Sequence, residues 1–139
     1  SSVDRRIMVP VDLEHLDQLE KALNSAADLA KHYRTPVTYV GVTTETPSSV
    51  AHSPEEFASK LAAFAARQGE AHGLEADSKA AATPDPATDL EKALLSAAKE
   101  TGADLIVMAS HKPNVADWFW ASHGGEIAKN AGISVFLVR

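Results

Sequence analysis

The chain has 139 residues, carries a formal net charge of −6 and contains no cysteine. That length is one domain's worth and can bury well over half of its unfolded surface without a staple. The acid excess argues against nucleic acid or an anionic membrane as the main partner, and the missing thiols exclude a disulfide framework, thiolate catalysis and cysteine zinc sites. No apolar run approaches the roughly 20 residues of a membrane span. Ser1-Ser2-Val3-Asp4 reads as a short polar leader without a signal-peptide pattern. The expectation is a single cytoplasmic domain over residues 1–139.

In chain order, apolar β-rich runs alternate with longer alanine- and leucine-rich segments. RRIMVPV, residues 5–11, reads as a first strand ending at Asp12. Over residues 15–33, Leu16, Leu19, Leu23, Ala26, Ala27 and Ala30 recur at spacings of three and four, which predicts an amphipathic helix. PVTYVGV, residues 36–42, is a second strand, and the polar stretch 43–53 a loop. Ser53-Pro54-Glu55-Glu56 offers a capping serine, a first-turn proline and acids at the positive end of the dipole. The helix it starts should stop near Gly73. EADSKAAAT, residues 75–83, is poor in β-branched residues and is assigned as a strand because the alternation requires one there.

The turn TPDPATD leads into a helix from about Pro86 to Gly102. ADLIVMAS, residues 103–110, is unbroken and apolar, as a strand covered on both faces should be. A long loop, a helix from about Ser122 to Asn130 and the strand ISVFLVR complete the chain. Five strands separated by four helices predict a three-layer, doubly wound α/β fold with a parallel sheet and helices on both faces. There is no internal repeat or linker.

In an open parallel sheet, ligands gather beyond the carboxyl ends of the strands, where strand order reverses. If strand one lies beside strand four, Pro10, Val11 and Asp12 meet Met108, Ala109, Ser110 and the loop that follows. Asp12 then has two readings: it accepts hydrogen bonds from ribose hydroxyls, or it caps the turn that it begins. At the far end of the loop, Ser122-His123-Gly124-Gly125 precedes EIAKNAG, so Ser122 is a candidate helix cap. The first amides of a helix lack internal partners, and glycines let an anion come close. With Ser110 and Lys112 these residues compose a phosphate cradle. The same serine and glycines serve equally well at the start of a helix that binds nothing.

IMVPVD on strand one, ADLIVMASHKP on strand four and the serine-started helix leading to SVFLVR resemble the universal stress protein family over essentially the whole chain. The resemblance implies the strand order 3-2-1-4-5. In nucleotide-binding members, the loop after strand four carries a glycine-x2-glycine-x9-glycine-serine/threonine pattern around ATP phosphates. Ser110-His111-Lys112-Pro113 is closer to a branch with a serine-histidine-basic-proline loop. Carried over by position, Pro10, Val11 and Asp12 would contact adenine and ribose, and Val42 would line the base pocket. Met108, Ala109 and Ser110 would begin the phosphate loop, Lys112 would follow, and Ala121, Ser122, His123 and Gly124 would close it.

The departures from the family pattern are specific. Ala109 replaces the first glycine, Lys112-Pro113 occupies the region of the second, and Ala121 replaces the glycine before the serine. Thr83-Pro84-Asp85-Pro86 stands where many members have a glycine-containing turn. Each lost glycine adds a methyl or restricts the backbone near the phosphates, and Gly124 and Gly125 offset this in part.

Trp118, Phe119 and Trp120 admit three readings: core under the loop, a subunit contact, or stacking on a base. The last strand is apolar for a sheet edge, and the resemblance implies a homodimer through it. His15, His32, His52, His72, His111 and His123 are scattered, with no pair at i, i+4, no HExxH and hence no metal pattern. His123 and Glu126 form at most a weak pair. No GxSxG elbow or Walker loop exists.

The resulting expectation is an adenine-nucleotide-binding stress-response or signalling module, a homodimer whose ligand is ATP, alone or with Mg²⁺. Hydrolysis would be slow at most, because no residue is evidently placed to activate water. The rival is the same fold with a degenerate nucleotide site, serving as a protein-interaction stress factor with an unknown protein partner. A third reading, a true enzyme, demands measurable turnover and a divalent metal.

Overall fold

A computed structural model describes residues 6–48, 50–109 and 124–138. The strands are β1 (Ile7–Pro10), β2 (Val37–Thr44), β3 (Ala76–Thr83), β4 (Leu105–Ala109) and β5 (Ser134–Val138). The helices are α1 (Glu20–Tyr33), α2 (Pro54–His72), α3 (Pro86–Thr101) and α4 (Gly124–Asn130). The strands form one sheet in the order β3-β2-β1-β4-β5, all pairs parallel.

Parallel register puts paired residues on one face of the sheet, and alternation then sorts every strand. Ile7, Val37 and Ala76 are in register, so Tyr39 and Gly41 lie on their face. This is the α2 face: Tyr39 meets Phe64 edge to face, with ring centroids 5.4 Å apart. A Cβ on Gly41 would come within 2.7 Å of Phe57 Cζ, so glycine is what lets α2 approach β2 this closely. On the opposite face Thr83 Oγ1 donates to Asp89 of α3 at 2.6 Å, and Asn130 of α4 donates to Glu91 of α3 at 2.9 Å. The core thus fills two layers. Met8, Leu90, Leu94, Ile106 and Ile127 are fully buried, as are Leu19, Ala26 and Leu61.

The expected helix over 15–33 is divided. A 3₁₀ turn, Leu16–Gln18, precedes α1, and Leu19 joins them without a side-chain cap. Leu19 N–H bonds to Leu16 O at 3.0 Å, and Leu23 N–H to Leu19 O at 2.8 Å. The leucine spacing is the same through both pieces, so periodicity could not separate them. The predicted start of α2 is found: Ser53 Oγ accepts Glu56 N–H at 3.1 Å, and Glu56 accepts His52 N–H at 3.3 Å in return. That backbone bond, with Lys60 nearby, holds the Glu56 carboxyl below its usual range. The strands differ somewhat in extent: β1 is Ile7–Pro10 where 5–11 was expected, and β4 is Leu105–Ala109 where 103–110 was expected. β2 runs on to Thr44 because Thr43 and Thr44 pair with Ala82 and Thr83, and β3 pairs along its whole length despite its alanines. Among the described residues no helix is long and apolar enough to cross a membrane.

Candidate functional site

Strand order reverses between β1 and β4, which makes the space beyond their carboxyl ends the switch point of the sheet. The sequence opens a crevice there. Ile7 N–H and Val11 N–H bond toward β2, to Pro36 O at 3.0 Å and Val40 O at 2.8 Å. Successive amides point to opposite sides, so Met8 and Pro10 face β4. Proline has no N–H to give, and the β1–β4 pairing stops at Met8↔Ile106 while β1–β2 continues to Pro10↔Val40.

Several residues singled out in the sequence gather at this crevice. Carrying the register forward sets Pro10 level with Met108, and alternation places Pro10, Asp12, Val42 and Met108 on the α3 face. Pro10 and Met108 are buried, and Val42 is half-buried. Val11 is buried on the other face and contributes its backbone here. Ala109 is also buried, and alternation turns its methyl to the face of Ile7 and Val37, away from Met108. Gly124 opens α4. Ser110, Lys112, Ala121, Ser122 and His123 lie outside the described residues, as do Trp118, Phe119 and Trp120.

Asp12 caps its own turn, one of its two expected roles. Its Oδ1 accepts Glu14 N–H at 3.0 Å, and its carbonyl accepts His15 N–H at 3.0 Å. Its Oδ2 lies 2.8 Å from His15 Nδ1. An ionised carboxylate only accepts, so Nδ1 is the protonated ring nitrogen in this bond. The Asp12 side chain is 11% exposed and that of His15 23%.

Sequence reasoning grouped His15 with the scattered histidines and missed this contact. The only available signal was its position three residues after an aspartate that starts a turn. Possible ligand atoms of Asp12, Glu14 and His15 lie within 4.8 Å of one another. The Asp12–His15 bond already engages two of those atoms, so the hydrogen bonds explain the cluster without an ion. His15 also lines an open groove of about 650 Å³, together with Leu13, Leu16 and, from α2, Lys60 and Arg67.

The family model described as "Universal stress protein family" matches residues 5–139. No curated protein sequence matches the chain significantly. Among solved structures, a universal stress protein from Archaeoglobus fulgidus is similar at a TM-score of 0.72 and 20% identity, covering 97% of this chain and 98% of that one. The universal stress protein from the same organism in complex with dAMP gives 0.67 and 21%, covering 97% and 98%. A universal stress protein in complex with cAMP gives 0.70 and 15%, covering 97% of each chain. These identities speak to the fold, which is the expected one. With the family model spanning nearly its whole length, the chain belongs to the universal stress protein family.

Proposed function

We propose that this protein is an adenine-nucleotide-binding stress-response module that takes ATP at the crevice between β1 and β4. The observation that carries the proposal is the convergence of Pro10, Asp12, Val42 and Met108 on one face of the sheet where the β1–β4 ladder ends. The apolar three suit a base, and the carboxylate beside them suits ribose hydroxyls. Relatives solved with dAMP and cAMP support an adenine nucleotide as the ligand class. Ser110, Lys112, Ser122, His123 and the backbone of Ala121 and Gly124 would hold the phosphates, with or without Mg²⁺.

The rival reading, a degenerate site, rests on lost glycines. At Ala109 strand alternation favours the nucleotide reading, since the added methyl belongs to the opposite face. Calorimetric titration with ATP, ADP and AMP, with and without Mg²⁺, tests the choice. Saturable binding of at least one nucleotide is expected. Absence of heat and of thermal shift with all three would leave the interaction-protein reading in its place.

The module would act in the cytoplasm as a homodimer through β5. Phe136 is 44% exposed and Leu137 37%, a large apolar exposure for a sheet edge. Sedimentation should give a dimer for the native chain and a monomer for Leu137→Glu. A monomeric native chain would rule this assembly out.

A further inference from the structure

We propose that His15 is a positioning residue for nucleotide binding, because it holds the Asp12 carboxylate in the orientation that offers its remaining lone pairs to the ribose. The inference rests on the nucleotide reading above and assigns part of its sugar recognition to a side chain outside the crevice.

The terminal torsion of an aspartate is broad and roughly two-fold, so one hydrogen bond leaves the carboxylate plane poorly determined. Here the two oxygens are held separately. Oδ1 takes the Glu14 N–H at 3.0 Å, a backbone bond present with any residue at position 15. Oδ2 takes His15 Nδ1–H at 2.8 Å, a charge-assisted bond that depends on this side chain. A carboxylate has about four lone-pair sites, so two remain after both bonds form. Vicinal ribose hydroxyls need two acceptors in one plane. The 11% exposure of the Asp12 side chain leaves little water to compensate if the plane turns.

The backbone of His15 is itself anchored. His15 N–H closes the turn on Asp12 O at 3.0 Å, and His15 lines the groove together with Glu14 and with Lys60 and Arg67 of α2.

The test compares ATP with 2′,3′-dideoxy-ATP on the native chain, His15→Ala and His15→Asn, by calorimetry. Asparagine keeps an N–H donor close to the place of Nδ1. His15→Ala should weaken ATP by about tenfold, the size of a charge-assisted hydrogen bond lost in part. It should leave the dideoxy compound unchanged, and His15→Asn should recover most of the ATP affinity. Equal losses for both nucleotides, or no recovery with asparagine, would reduce His15 to a structural role and overturn the proposal. Circular dichroism checks that each variant folds.

Imidazole ¹⁵N spectra give a readout independent of binding. Nδ1 of His15 should be protonated in the native chain and should lose that preference in Asp12→Asn. If the native chain binds neither nucleotide, the nucleotide reading falls and the ribose role of His15 falls with it. The spectra would still decide whether His15 holds Asp12. A neutral His15 carrying its proton on Nε2 in the native chain would overturn the positioning itself.

Discussion

At the amino end of the sheet, Arg6 gives guanidinium N–H groups to Thr38 Oγ1 at 2.8 Å and Asp77 at 3.3 Å, and Thr38 donates to Asp77 at 2.6 Å. Arg6 and Asp104 add a pair of bonds of 3.1 Å each, one from each backbone amide. Partners distant in sequence are joined, and β1, β2, β3 and the entry to β4 are tied together. At the carboxyl end, Asp12 bonds among the described residues only to Glu14 and His15, within its own turn. No strand is tied to another there through a described side chain, and β1 parts from β4 after Met8. Similar side chains thus close one end of the sheet and leave the other open. A carboxylate oriented by its own turn at an open end can serve a ligand; one committed across strands cannot do so without loosening the sheet.

Substitutions at the two ends should therefore separate affinity from stability. The largest effect is expected at Asp12. Asp12→Ala should weaken ATP about 30- to 100-fold, that is about 2 to 3 kcal/mol for charged hydrogen bonds to the sugar. Its melting temperature should fall only slightly, through the lost turn cap. Unchanged affinity in calorimetry would break the comparison.

Thr38→Val should do the reverse. It keeps the shape of a side chain that is 3% exposed but removes the hydroxyl between Arg6 and Asp77. About 1 to 2 kcal/mol of stability should be lost in urea unfolding, with ATP affinity unaltered. A matching loss of affinity would mean that the two ends are coupled.

A smaller effect separates either end from the middle of the sheet. Tyr39 is fully buried, its hydroxyl has no hydrogen-bond partner among the described residues, and burial pushes its pKa up to about 12. Tyr39→Phe removes an unsatisfied group and should gain about 1 kcal/mol at neutral pH. Between the ordinary tyrosine value of about 10 and the raised one, the native state keeps a proton that the unfolded chain releases. The native chain should accordingly lose stability as pH rises through this window, and Tyr39→Phe should lose less. Parallel stability curves for the two proteins would contradict the burial.

The element order, the parallel sheet and the two helix layers were legible because strand and helix periods alternate clearly along the chain. The two-residue extension of β2 was not, because Thr43 and Thr44 become strand through pairing with Ala82 and Thr83 of β3. The break before α1 was invisible for the opposite reason: Leu16, Leu19 and Leu23 keep helical spacing through a 3₁₀ turn. At the site, Pro10, Asp12, Val42 and Met108 could be named from the resemblance, and the topology brings them to one face. The Arg6–Thr38–Asp77 tie needed the register, and the Asp12–His15 bond needed the conformation of a single turn. Neither leaves a mark in composition or spacing.

The claim that the open end of the sheet holds the nucleotide is tested most directly by backbone and methyl NMR shifts during titration with ATP. Shifts should concentrate at Val11, Asp12, Val42, Met108 and Ala109, with His15 responding and Arg6, Thr38 and Asp77 unmoved. Saturable shifts centred on the amino end, or no shifts at any concentration, would contradict it.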